Sequence, residues 1–153
     1  MTTAPISHTD RNLDAACTAV ASEISRTDSK ASLLLAFNGA ALAGLASIAD
    51  HDLPTPVKVA GTLAVLALGT AAVLLLLVVR PNLSGDDRAS FPYWARLRDD
   101  DDVRACMNSD TRAARIRVLS TIALAKFSRL RQAVNCTLAA LGLLALAAVL
   151  ALL

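Results

Sequence analysis

Aromatic residues are scarce in this chain. They make up 3% of its 153 residues, whereas hydrophobic residues of all kinds make up 55% and charged residues only 18%. A soluble domain of this size is rarely so apolar with so few aromatic side chains. The composition argues against an ordinary soluble domain and indicates a membrane protein.

The chain also lacks the residue groupings that enzymes and metal sites need. It contains no nucleophile elbow, zinc-protease helix motif, phosphate loop or dinucleotide fingerprint. Its three cysteines are widely spaced and its two histidines are isolated, so no zinc site, disulfide framework or histidine base is indicated. We therefore expect a protein that is not an enzyme and that holds no metal and no cofactor.

A strong charge of one sign is absent as well. The formal net charge is +2 at pH 7, from 15 basic and 13 acidic residues. Nucleic acid is not an expected partner, because such binding needs a large positive field. The acidic run 99–102 points in several directions on a helix, so we interpret it as a solvated helix start rather than a metal site.

Three uncharged apolar runs have the length of membrane spans, since about 20 residues at ~1.5 Å rise cross a hydrocarbon core of ~30 Å. The short connection between the first two contains Pro54 and Pro56, which we expect to stop any helix. The predicted division is a cytosolic helix (1–30), a first transmembrane helix (31–49), an external turn (50–58), a second transmembrane helix (59–79), a cytosolic loop and helix (80–133) and a third transmembrane helix (134–153).

The distribution of Lys and Arg predicts the orientation of these helices. The segment 1–30 holds three such residues, the turn 50–58 holds one and the segment 80–133 holds eleven. The positive-inside rule then places the N-terminus and 80–133 in the cytosol and Leu153 outside. The first apolar run begins only at Ala31, so we expect no cleavable signal peptide and direct insertion into the cell inner membrane.

Two predicted cytosolic helices lead into membrane runs without a helix breaker. The first has a capping signal at Thr9 and Asp10. Small or apolar residues recur at alternating spacings of four and three along both helices, which favours their packing on each other or on another subunit as a short stalk. The stripes are Leu13, Cys17, Val20, Ile24, Thr27, Ala31 and Leu34 in the first, and Ile116, Ser120, Ala123, Phe127, Leu130 and Val134 in the second. The predicted fold class is an all-α membrane protein in which two of three transmembrane helices continue as amphipathic stalks.

The first membrane run carries its own packing signals. Asn38, beside Gly39, lies roughly 10 Å inside the run by helix rise. Its amide needs a partner, either as glue between helices or as part of a wet path that opens on activation. Small residues also recur every fourth position, which favours close helix contact, and we expect a homo-oligomer of undetermined number. These positions are Ser32, Ala36, Ala40 and Gly44.

Cations gather where the stalks meet the membrane, and a carboxylate lies among them. The predicted group is Arg26, Asp28 and Lys30 on the first helix, with Lys126, Arg129 and Arg131 on the second. One interpretation is a structural ion-pair network combined with positive-inside residues. The other is a cradle for the phosphate of a small nucleotide, for which arginine is well suited. The sequence leaves both open.

Three blocks of the sequence resemble the transmembrane effectors of Pycsar antiphage systems. The most specific block is 26–40, Arg-Thr-Asp-Ser-Lys-Ala-Ser-Leu-Leu-Leu-Ala-Phe-Asn-Gly-Ala. The others are Val-Val-Arg-Pro at 78–81 and Lys-Phe-Ser-Arg-Leu-Arg at 126–131, and the likeness extends over residues 13–153. The acidic run 99–102 departs from the family pattern.

The resemblance implies a defence effector that is encoded beside a pyrimidine cyclase. Phage infection would trigger synthesis of cyclic UMP or cyclic CMP, and the effector would bind it and impair the inner membrane in an abortive infection. The family pattern carries over to Arg26, Asp28, Lys30, Asn38, Gly39, Lys126, Arg129 and Arg131 without showing which of them contact the nucleotide. The competing interpretations are a ligand-independent membrane scaffold and a holin-like pore former, and a neighbouring cyclase or lysis gene would discriminate between them.

The predicted topology is tested by reporter fusions. A fusion at Leu153 should behave as periplasmic, because the Lys and Arg counts place this end outside. A fusion within 80–133 is the internal control and should behave as cytosolic. Cytosolic activity of the Leu153 fusion would contradict the three-span orientation.

Overall fold

The described part of the chain is helical and contains no strand. The structure is a computed structural model that describes residues 7–48, 54–80 and 90–152. Three helices are long and apolar enough to cross a membrane, which confirms the predicted all-α membrane fold. The helices are α1 (His8–Ser47), α2 (Thr55–Val79), α3 (Phe91–Trp94), α4 (Asp100–Met107) and α5 (Arg112–Leu152).

Two of these helices are about twice the length of a membrane span. α1 has 40 residues and α5 has 41, and each joins a polar first half to an apolar second half. Neither contains proline, so no backbone hydrogen bond is lost inside them. The prediction that two transmembrane helices continue as amphipathic helices is therefore confirmed.

The chain divides into two compact units. The first comprises Met1–Arg26 and Pro81–Ala125, and the second comprises Thr27–Arg80 and Lys126–Leu153. The first unit contains the start of α1, the short helices α3 and α4, and the start of α5. The second contains the apolar part of α1, all of α2 and the apolar part of α5.

Side-chain caps begin two helices of the first unit. Ser7, rather than the predicted Thr9, caps α1: its Oγ accepts the Asp10 N–H at 3.1 Å and donates to Asp10 Oδ2 at 2.7 Å. Asp10, at the third helical position, also accepts the Ser7 N–H through Oδ2 at 3.3 Å, which completes a reciprocal capping box. Asp99 caps α4 by accepting the Asp102 N–H at 2.8 Å. The acidic run 99–102 is thus an exposed helix start, as predicted.

The second unit is a three-helix bundle in which α1 and α5 run parallel and α2 runs antiparallel to both. Three layers of buried residues show this order. The first layer contains Ala31, Leu75, Val78 and Ala133, the middle one Ala64, Leu68 and Ala140, and the last Val57, Ala60 and Ala147. Residue numbers rise together along α1 and α5 through these layers and fall along α2.

Alanine dominates the buried positions of this bundle. Ala31, Ala64, Ala71, Ala133 and Ala140 are completely buried. Small side chains let helix backbones approach closely, and van der Waals packing is the main attraction between helices in lipid. This packing needs no large rings, which accounts for the scarcity of aromatic residues.

The buried face of α5 follows the predicted stripe at Ala123 and Leu130 but departs from it where Lys126 and Ala133 lie inward. Lys126 is mostly buried and Leu130, Ala133 and Thr137 continue its face, whereas Phe127 is 40% exposed. The difference arises because polar residues occupy inward positions at 126 and 137. A pattern based on apolar residues does not mark such positions. On α1 the predicted stripe does lie on the inward side.

The second apolar helix begins earlier than the predicted residue 59. α2 begins at Thr55, so Pro56 lies in the first helical turn instead of stopping the helix. Proline fits there because the first N–H groups of a helix have no intrahelical acceptor. α2 therefore starts before residue 59 and ends at Val79. Within the predicted cytosolic loop and helix 80–133, residues 81–89 lie outside the described part of the chain, and α3 begins at Phe91.

Packing of the middle layer can be tested with two leucines on α2. Leu68 is completely buried in this layer and Leu66 is 62% exposed. Leu68→Ala should reduce the free energy of unfolding in bicelles by about 2–4 kcal/mol, because it leaves a cavity between packed helices. Leu66→Ala should cost much less, and equal losses would contradict this packing.

Candidate functional site

An ion pair joins α1 to α5 near the start of the second unit. Lys126 Nζ lies 2.6 Å from Asp28 Oδ1 and 2.8 Å from Oδ2, so the ammonium donates to both carboxylate oxygens. The Lys126 side chain is 15% exposed and that of Asp28 is 36% exposed. Partial burial removes water from the pair, so losing either partner would leave the other charge poorly solvated and uncompensated. Lys126 therefore points inward, toward Asp28.

Arg129 contacts the end of α2 instead of a carboxylate. Its Nη1 donates to the Leu77 carbonyl at 3.4 Å. This carbonyl belongs to the last turn of α2, where acceptors have no intrahelical partner and the helix dipole favours a cation. Lys30, Arg131 and Arg80 are exposed. In the described second unit, Asp28 is the only acidic residue against these cations at this end.

Of the predicted cation group, the structure brings Lys126 to Asp28 and Arg129 to the end of α2. Arg26 belongs to the first unit, where it pairs with Glu23 of the preceding helical turn at 3.2 Å. The Lys126–Asp28 and Arg26–Glu23 contacts are of the ion-pair kind that the sequence allowed as one interpretation. Contact with a nucleotide phosphate stays a prediction. We name Asp28, Lys30, Lys126, Arg129 and Arg131 the cationic cluster.

A buried polar pair lies farther along the same two helices. Asn38 is completely buried, and its Nδ2 donates to Thr137 Oγ1 at 3.2 Å. The Thr137 hydroxyl lies 3.3 Å from Asn38 Oδ1 and 3.0 Å from the Ala133 carbonyl, both of which are possible acceptors. Asn38 is thus hydrogen-bonded across the helix pair, and a gating role for it stays a prediction.

Thr137 is the partner that sequence reasoning did not identify. The signal that could have found it is register, because Asp28 and Lys126 are 98 residues apart and Asn38 and Thr137 are 99 apart. Two parallel helices in register place such residues side by side.

The small-residue ladder of α1 is not used inside the described chain. Its members are exposed, as is Gly39, and an added Cβ at Gly39 or Gly44 meets nothing within 4 Å. The packed side of α1 instead carries Ala31 and Asn38. Contact of the ladder with another copy stays a prediction. The ladder consists of Ser32, Ala36, Ala40 and Gly44.

A second charged centre, not predicted, lies in the first unit. Arg112 begins α5 and donates to both oxygens of Asp110 at 2.9 Å, to Asp14 Oδ1 at 3.1 Å and also to the Asp10 carboxylate. These bonds raise the pKa of Arg112, first through Asp110 and then through Asp14 and Asp10. The Asp110 pKa falls to about 2 because Arg112 donates to its carboxylate. The Asp10 pKa is also lowered, by Ser7 and then by Arg112. The paired acids Asp10 and Asp14 on one face of α1 were the available signal.

The first unit also contains an open cavity of about 340 Å³. Tyr93 and Leu97 line one part, and Asp102, Cys106 and Ser109 line another. No basic residue is among its described lining. Its composition does not favour an anion.

The geometry is that of a helical membrane protein with a mostly basic cluster at one end of its bundle. The family model of the Pycsar effector protein domain matches residues 12–153. The chain therefore belongs to the Pycsar effector family and is an antiphage defence effector with membrane helices. No curated protein and no solved structure matches it.

Acid should weaken the Arg112 centre in a defined range. The folded pKa of Asp110 is about 2 against an ordinary 3.8, so its stabilising contribution is complete above the ordinary value and is lost as pH falls toward 2. Trp94 fluorescence reports on the same unit. Asp110→Asn should reduce the change in Trp94 fluorescence that the parent shows between these two pKa values.

The matched control is Asp101, which pairs with Arg104 inside α4 at 3.2 Å. Asp101→Asn should leave the transition unchanged. An identical acid transition in the parent and the Asp110 variant would contradict the assigned role of Arg112.

Proposed function

We propose that a cyclic pyrimidine nucleotide, cyclic UMP or cyclic CMP, activates this effector to impair the inner membrane and end the infected cell. Membership of the Pycsar effector family over residues 12–153 supports the defence role. The three membrane-length helices supply the part that would act on the bilayer. The ligand proposal rests on the cationic cluster. Its most buried cation, Lys126, already pairs with the Asp28 carboxylate.

The cationic cluster suits a cyclic phosphate better than the other candidate place does. It has Lys30, Arg129 and Arg131 exposed around the Asp28–Lys126 pair. Guanidinium groups donate in a planar fork that matches phosphate oxygens. The cavity of the first unit has Asp102 and no basic residue on its described lining, so it would repel an anion.

Binding of the phosphate would compete with Asp28 for Lys126. Both groups offer anionic oxygens to the same ammonium, and a phosphate held also by Arg129 would displace the carboxylate. α1 would then lose the Asp28–Lys126 contact with α5 just before both helices enter the membrane bundle. A ligand shifts such an equilibrium only by its difference in affinity between the two states. In the closed state here, the Asp28 carboxylate occupies Lys126 and competes with the ligand.

The Asn38–Thr137 pair would transmit or resist this change. Asn38 lies ten residues beyond Asp28 on α1, about 15 Å by helix rise. A buried amide that lost Thr137 would need water or another polar partner. In this proposal the N-terminus and the cationic cluster face the cytosol, where a genetically paired cyclase would make the nucleotide, and the effector acts as a homo-oligomer.

Cell experiments distinguish this function from a holin-like pore former. Expression with an inactive cyclase should be tolerated, and expression with an active cyclase should depolarise the membrane, as read by a potential-sensitive dye. Equal depolarisation with both cyclases would favour pore formation triggered by concentration. No depolarisation with either, at confirmed expression, would favour a passive scaffold.

Binding measurements on detergent-solubilised protein test the cationic cluster. Arg129→Ala and Lys126→Ala should weaken nucleotide binding by about 10- to 100-fold, because a charged hydrogen bond contributes about 1.5–3 kcal/mol. Arg26→Ala tests, in the same way, the predicted cation that belongs to the first unit. Asp28→Asn should strengthen binding, because it removes the competing carboxylate.

Arg80→Ala is the matched control, since Arg80 is an exposed cation at the same end of the bundle. It should bind as the parent does. Asn38→Leu should also bind normally but change membrane damage. If the Arg129 and Lys126 variants both bound the nucleotide as tightly as the parent, these two cations would serve only in packing and topology.

A further inference from the structure

We propose that the bundle end opposite the cationic cluster binds one anionic phospholipid, with an acyl chain in an apolar groove and the phosphate at Lys58. This site is independent of the nucleotide function proposed above. It lies wholly within the second unit, where α2 begins.

The groove has the size and surface of a ligand site. It encloses about 530 Å³, within the range of about 300–1,000 Å³ that ligand pockets cover. Its walls come from all three membrane-length helices and are apolar apart from Lys58 and Thr62. The walls include Leu45 of α1 and Ile48 just after it, Gly61 and Val65 of α2, and Ala148 and Ala151 of α5.

Small residues leave the space that an acyl chain would fill. An added Cβ at Gly61 meets nothing within 4 Å, so the helices are not in close contact at this wall. Ala147 is buried at the groove, in a cluster with Val57. Along α2 the groove extends from Lys58 to Val65, a rise of seven residue steps or about 10 Å. A bilayer supplies flexible apolar chains for such a groove.

Charge complementarity selects an anionic headgroup. Thr62 Oγ1 donates to the Lys58 carbonyl at 2.9 Å, which satisfies that hydroxyl. The Lys58 side chain is exposed and has no hydrogen bond or ion pair with any described residue. The described lining includes no carboxylate. The ammonium is therefore the polar group available to a ligand here, and a lipid phosphate at the membrane surface matches it.

The test measures which lipids the full chain retains. Protein is reconstituted in equimolar phosphatidylglycerol and phosphatidylcholine, extracted in mild detergent, and analysed by native mass spectrometry for bound lipid. The parent should retain phosphatidylglycerol preferentially. Lys58→Gln should reduce this preference about tenfold, which is the scale of one charged hydrogen bond. Lys58→Arg should preserve it, and Arg80→Gln, at the other end of α2, should not affect it.

A second variant tests the groove independently of charge. Gly61→Leu places a side chain in the acyl space and should reduce retention of both lipids. Gly69→Leu is the matched control, because Gly69 is on the same helix, outside the groove, with nothing within 4 Å of an added Cβ. Circular dichroism checks helicity, and the exposed Lys58 variants keep the test valid if Gly61→Leu misfolds.

The outcomes are distinct. Loss of preference in Lys58→Gln, with loss of lipid in a folded Gly61→Leu, supports the site. Unchanged preference in Lys58→Gln overturns it, as does equal lipid retention in the Gly61 and Gly69 variants. If Gly61→Leu instead abolishes self-association without changing bound lipid, a second copy occupies the groove and the lipid site is wrong.

Discussion

The register between α1 and α5 is the constraint on which the rest of the second unit depends. Two polar contacts set it, the Asp28–Lys126 ion pair and the Asn38–Thr137 hydrogen bond. A slip of one residue along either helix would rotate a charge or an amide away from its partner. In lipid an unpaired polar group costs several kcal/mol. Apolar packing alone would tolerate such a slip far better than these pairs do.

Small side chains follow from the same close approach of helices. Ala31 and Ala133 lie between the two polar contacts and are completely buried against Leu75 and Val78 of α2. Larger residues there would hold the helices apart and lengthen the polar contacts. The cationic end is thus held by specific charges, while the opposite end, lined by Gly61 and Ala148, is loosely filled.

Much of the fold could be predicted from the sequence because the signals were long and local. Helix continuity at Ala31 followed from the absence of a breaker, and the three spans followed from length and hydropathy. On α5 the inward positions of Lys126 and Thr137 could not be predicted, because these residues meet partners about a hundred residues away. The start of α2 was misjudged because Pro56 suits a first helical turn as well as a loop.

The candidate site was predicted in its residue types and less well in its contacts. Sequence placed Asp28 among cations but did not show that it occupies Lys126, and it did not identify Arg112 at all. Arg112 lies in a segment with many arginines and has Asp110 two residues away, but its partners Asp10 and Asp14 become visible only when α1 and α5 meet. Long-range polar pairing of this kind is set by tertiary structure.

In the proposed mechanism, the ligand changes the α1–α5 contact of the second unit. The most direct measurement is the distance between spin labels at Ser32 and Leu138, both exposed, after replacement of the native cysteines. Labelled chains are diluted with unlabelled ones in nanodiscs, and a label pair at Leu66 and Val73 within α2 is the control. A shift of the α1–α5 distance with saturating cyclic UMP or cyclic CMP, and none within α2, is the expected result. An unchanged α1–α5 distance in protein that binds the nucleotide would contradict a ligand-driven change of the α1–α5 contact.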